Sequence, residues 1–134
     1  MAHLSFEYSA NLEPDLDLRD LCGHLRDAMT GSGVFPLGGI RVRGTRVDVS
    51  AVASGEDELA FIDMTLRMGM GRDEDVRVAV TETIYAAAEA WLKPRVGERP
   101  FALSLEVTEI NSRFSEKRFN TIHKFLKSRE ATGG

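Results

Sequence analysis

Met1-Ala2-His3-Leu4-Ser5-Phe6-Glu7-Tyr8 opens the chain. Leu4, Phe6 and Tyr8 alternate with His3, Ser5 and Glu7, the period-2 pattern of a half-buried strand that begins at the terminus itself. Chain ends usually fray unless something ties them down, so an abrupt start asks for a reason beyond folding. An amine held at the end of a sheet strand can act as a base, because its ordinary pKa of about 7.7–8.0 lies near working pH.

The chain downstream supplies partners for such a strand. A polar connector, Ser9 to Pro14, leads to a helix that Asp15 or Asp17 could cap. Leu18, Leu21, Cys22, Leu25, Ala28 and Met29 recur at three and four, giving one apolar face that Gly31-Ser32-Gly33 terminates. A partly apolar turn, Val34 to Gly39, enters a strand at Ile40-Arg41-Val42-Arg43. Gly44 there suggests a bulge, and Val47, Val49 and Val52 resume the strand pattern. Leu59 to Gly69 is the clearest strand, with Ala60, Ile62, Met64, Leu66 and Met68 opposite Asp63, Thr65 and Arg67. Asp73 is the natural N-cap of a second helix whose apolar positions are Val76, Val80, Ile84, Ala87 and Trp91, with Pro94 as its stop. Phe101, Leu103, Leu105 and Val107 mark a last strand. From Ser112 a charged tail carries Phe114, Phe119, Ile122, Phe125 and Leu126, a pattern for a short helix packing on the body or on a neighbour.

The order is strand, helix, strand, twice over. It predicts an α+β fold, a duplicated β-α-β plan with a four-stranded mixed sheet and two helices on one face. Residues 1–134 form one domain, with about 112–134 as its C-terminal tail. Two helices cover only one face, and the apolar and neutral side chains of the other lead us to expect a partner subunit there.

Bulk properties narrow the function. Seventeen Lys and Arg against 21 Asp and Glu give a net charge of −4, so no field favours nucleic acid. Charges interrupt every apolar run, which argues against a membrane span, and the N-terminus lacks a secretion pattern. Cys22 is the single cysteine, which fits a reducing cytoplasm. No His, Cys, Asp or Glu spacing matches a metal site, and Gly69-Met70-Gly71 lacks the remainder of a phosphate loop.

Three stretches together carry a specific likeness: the Met-Ala-His-Leu start, Gly33-Val34-Phe35-Pro36-Leu37-Gly38-Gly39-Ile40-Arg41, and Met64-Thr65-Leu66-Arg67-Met68-Gly69-Met70-Gly71-Arg72. With Leu103-Ser104-Leu105-Glu106 and Asn120-Thr121-Ile122-His123, the chain resembles the 5-carboxymethyl-2-hydroxymuconate isomerases of the tautomerase superfamily over nearly its whole length. The resemblance implies the tautomerase-like β-α-β duplication, a homotrimer, and sites near subunit boundaries. It also implies an N-terminal proline, exposed by removal of the initiator Met, whose amine shuttles a proton as a dienol becomes an unsaturated ketone. No cofactor is needed for that chemistry.

Ala2 stands where the family has its catalytic proline. If Met1 is removed, the Ala2 amine remains a base, though a less constrained one. If Met1 stays, residue 2 offers only an amide, and the nearest amine lies up to about 3.5 Å further along the chain. Reduced activity is expected in either case. Arg41 and Arg72 are the candidate holders of substrate carboxylates. Spacing alone favours solvated surface arginines, and it is the resemblance that reverses this preference in favour of the binding role. Arg43, on the face of Arg41, His3, beside the base, and Phe35, as an apolar wall, complete the candidates. For His3 packing or strand hydrogen bonding, and for Phe35 a turn anchor in the core, are equally good readings. Two functions follow: a cofactor-independent isomerase of an unsaturated di- or tricarboxylate from aromatic degradation, or a catalytically silent trimer that binds an anionic ligand or partner.

Overall fold

The computed structural model describes residues 1–13 and 15–131; Pro14 of the connector and the last three residues of the tail lie outside them. Four strands, β1 (Ala2–Ser9), β2 (Ile40–Val47), β3 (Ala60–Gly69) and β4 (Phe101–Ile110), form one sheet in the order β2-β1-β3-β4. β1 runs parallel to β2 and antiparallel to β3, and β3 runs parallel to β4. Each parallel pair is joined through a helix, α1 (Leu18–Gly31) or α2 (Glu74–Val96), so the duplicated β-α-β plan is present. A third helix, α3 (Ile122–Ala131), lies in the tail.

Alternation decides which sheet face is covered. Ala2, Leu4, Phe6 and Tyr8 of β1 and Ala60, Ile62, Met64, Leu66 and Met68 of β3 are buried against Leu21, Leu25 and Met29 of α1 and Val80, Ile84 and Ala88 of α2. Burial of a large apolar side chain contributes about 1.5–3 kcal/mol, so this central pair of strands dominates the stability of the sheet. Asp17, rather than Asp15, caps α1, accepting from the amides of Arg19 and Asp20. Asp73 caps α2 through the Val76 amide at 2.9 Å. The two helices are tied by Trp91 Nε1, which donates to Asp20 Oδ2 at 2.9 Å, and by His24 Nε2, which donates to the Ala87 carbonyl at 3.0 Å.

Four local expectations are corrected. Gly44 makes no bulge: β1 and β2 stay in register from Ala2–Ile40 to Ser9–Val47. Glycine is there because a Cβ would come within 2.5 Å of the Phe6 ring. β2 ends at Val47, and Val49 is 91% exposed, so the valines beyond it have no sheet to pack on. Pro94 does not stop α2, which runs to Val96. Within the last turn a proline forfeits only its own amide bond, and the stop falls at Gly97, whose φ of 60° suits glycine and whose amide reaches the Lys93 carbonyl. Finally, the uncovered sheet face is strongly polar: Glu7, Arg41, Arg43, Asp63, Arg67 and Glu106 share it with Ser, Thr and a few apolar residues.

Candidate active site

β1 begins between the start of β2 and the end of β3, and this fixes where the chain's amine sits. Ala2 is fully buried and pairs with Ile40 on one side and Met68 on the other. Met1 extends one residue beyond that frame, and its carbonyl accepts the Gly69 amide at 3.2 Å. On the other side the turn Leu37–Gly39 passes so close that a Cβ on Gly39 would lie 3.2 Å from Met1 Cα. Glycine at 39 therefore lets the backbone approach the terminus. Strand pairing and a glycine turn hold the end that would otherwise fray.

The terminus opens into a cavity of about 560 Å³. Its sheet side is Met1, His3, Arg41 and Arg67, and its other wall is the tail segment from Ser115 to Ile122. Burial, first, and the charges of Lys117, Arg72 and Arg41 push the Met1 amine below its ordinary value of 8.0. All four causes disfavour the protonated form, so more of the amine is free to accept a proton at neutral pH. His3 is pushed below 6.5, first by burial and then by Arg67, Arg43 and Arg41. The Arg43 guanidinium donates to its Nδ1 at 3.3 Å, which requires the neutral ring.

The candidates from the sequence divide into two groups. His3 and Arg41 meet at the cavity beside the amine, and Arg41 is steadied by the Gly38 carbonyl at 3.3 Å. Arg43, Arg72 and Phe35 do not line it. Arg72 donates to the carbonyls of Gly69, at 3.1 Å, and Val34, at 3.0 Å, and lies 5.4 Å over the Phe35 ring. It clamps the turn before β2 to the end of β3 while its charge still reaches the amine. Phe35 itself is buried in the core.

Arg67 and Lys117 are cavity residues that sequence reasoning missed. Arg67 was legible as a solvent-facing position of β3, and pairing puts it opposite His3, whose other neighbour is Arg41. Lys117 gives no such signal, since its place depends on how the tail folds back. Among the described residues no group of three His, Cys, Asp or Glu side chains could hold a metal ion, and no helix is long and apolar enough to cross a membrane.

Ala2 thus starts a buried strand of a duplicated β-α-β sheet, and the Met1 amine before it lies at an arginine-lined cavity. The sequence profile described as 5-carboxymethyl-2-hydroxymuconate isomerase matches residues 2–126, and the chain belongs to that family. It is 31% identical over 127 residues to the 5-carboxymethyl-2-hydroxymuconate Delta-isomerase of Escherichia coli, covering 95% of this chain and all of that one. A solved 5-carboxymethyl-2-hydroxymuconate delta-isomerase superposes with a TM-score of 0.84 at 34% identity, covering 94% of this chain and 93% of the other. The fold alone is shared with a structure described as a fused 4-OT symmetric trimer, at a TM-score of 0.64 and 14% identity, over 88% of this chain and 95% of that one.

Proposed function

We propose that the chain catalyses ketonisation of 5-carboxymethyl-2-hydroxymuconate or a close unsaturated polycarboxylate of aromatic degradation, with its N-terminal amine as the proton carrier. The observation that carries this reading is the Met1 amine, pushed below 8.0, opening into a cavity with Arg41 and Arg67. The neutral amine accepts the proton of the enol hydroxyl. The double bonds shift along the conjugated chain, and the resulting ammonium returns the proton to carbon. Atoms and charge balance without a cofactor. Arg41 and Arg67 hold carboxylates, Arg72 adds field, and neutral His3 lines the wall; Arg43 keeps His3 neutral and Phe35 supports Arg72.

Ala2 bears on the rate. With Met1 in place the amine is one residue beyond the family's position, and a misplacement of ~1 Å can cost ~10²-fold. With Met1 removed, the Ala2 amine starts β1 but lacks the ring that orients a proline nitrogen. We expect measurable turnover, slower than that of an Ala2→Pro form freed of Met1. Ultraviolet-monitored ketonisation of the two forms tests this. Silence in both, with dicarboxylate binding retained, supports the rival reading, a catalytically silent trimer that binds an anionic ligand or partner.

The family and the trimeric fold neighbour support a homotrimer, and the reaction class and Cys22 suit a cytoplasmic setting. The tail belongs with the body in one domain, closing the cavity.

A further inference from the structure

The tail wall of the cavity is anchored at both ends. Where it leaves β4, Asn111 caps the turn Ser112–Phe114 by accepting the Arg113 amide at 3.0 Å, and the Ser112 hydroxyl reaches Met70 Sδ at 3.4 Å. At the far end Asn120 accepts the Ile122 amide at 2.9 Å and so starts α3. The His123 ring of α3 then rests on the Gly38 backbone, so close that a Cβ at Gly38 would lie 2.5 Å from Nδ1. Lys117 sits between these anchors, in the span that faces the amine.

The charge balance of the cavity is one-sided. Arg41, Arg67 and Lys117 come from three separate elements, and among the described residues none of them is paired with a carboxylate. Glu116 is the one carboxylate in the lining. Its Oε1 is turned back onto the amides of Lys117, at 3.0 Å, and Arg118, at 3.2 Å. Arg67 and Lys117 are exposed and Arg41 is half-buried, so solvent screens their mutual repulsion, and together they present one sign of charge that attracts a polyanion.

We propose that Lys117 is a specificity-determining residue, the cation by which the C-terminal segment grips a further carboxylate of the substrate, beyond those held by Arg41 and Arg67. This rests on the isomerase reading above. A muconate carries two carboxylates and a carboxymethyl branch adds a third, so a substrate of that class presents three anionic groups to three cationic side chains. Lys117 reaches the site from the tail, not the sheet, and therefore discriminates by the length and branching of the substrate. The same ammonium is close enough to help hold the amine below its ordinary pKa.

The test compares wild type with Lys117→Gln and Lys117→Arg in the intact chain. It measures KM and kcat for 5-carboxymethyl-2-hydroxymuconate, and inhibitor binding by calorimetry with propane-1,2,3-tricarboxylate and with glutarate. Lys117→Gln should raise KM and weaken the tricarboxylate roughly tenfold, the equivalent of one charge-assisted hydrogen bond. It should leave glutarate nearly unchanged and move the pH–rate profile to higher pH. Lys117→Arg should restore tricarboxylate binding. Unchanged tricarboxylate affinity in Lys117→Gln, or equal loss for both ligands with no rescue by Arg, overturns the proposal. Lys117-dependent tricarboxylate binding without turnover in wild type would sustain the grip while refuting the isomerase reading.

Discussion

Gly44 and the terminal residues show how much a single position can carry. Gly44 lies opposite Phe6 in the β1–β2 pairing, and the ring fills the volume a side chain would need. Replacing a strand glycine by alanine ordinarily gains stability by restricting the unfolded chain. Here overpacking against a buried ring outweighs that gain. Gly44→Ala should destabilise the fold by about 1–3 kcal/mol, read as a lower urea midpoint with an unchanged slope. An unchanged or raised midpoint would mean the ring has room to move. The sequence marked Gly44 as exceptional but pointed to a bulge, because the actual reason is a side chain 38 positions away. Ala2 is the opposite case: its departure from the family was visible at once, while its burial between Ile40 and Met68 needed the sheet.

At the scale of elements, local chemistry was legible where the partners are close in sequence. β1 and β3 were readable from alternation and α1 from its apolar spacing, because both patterns follow from backbone periodicity. The cap of α2 was also readable. Asp73→Ala removes the acceptor of the Val76 amide and should cost about 1 kcal/mol, seen as a drop in Tm with the far-ultraviolet signal retained. A loss below about 0.3 kcal/mol would show that water satisfies that amide equally well. Stops were harder to place. Pro94 suggested an end that Gly97 supplies three residues later, since a proline late in a helix removes one bond without preventing the next residues from continuing. The tail was harder still: its charges and aromatics allowed a helix, but its seat on Gly38 is a long-range contact that periodicity does not encode.

For the molecule as a whole, the two sheet faces divide stability from function. The helix-facing side is the apolar core, and the other side presents mixed charges, with Arg41 and Arg67 flanking His3 at the end where the chain starts. A homotrimer would bring such faces and their exposed neighbours, Phe114 and Phe119, into contact with other copies, so sedimentation should give a mass about three times the 14.8 kDa chain. A concentration-independent monomer would contradict it. The cavity was half legible in the sequence: β1 and the family resemblance pointed to the amine and Arg41, whereas Arg67 and Lys117 enter only through pairing and the fold of the tail. The decisive measurement is the pH dependence of 5-carboxymethyl-2-hydroxymuconate ketonisation, run with the N-terminal amine free and with it selectively acetylated. The free form should gain rate as pH rises through a pKa below 8.0 and then level off, because the neutral amine is the active form, and acetylation should abolish turnover. An acetylated chain that turns over at the same rate would contradict the account at its centre.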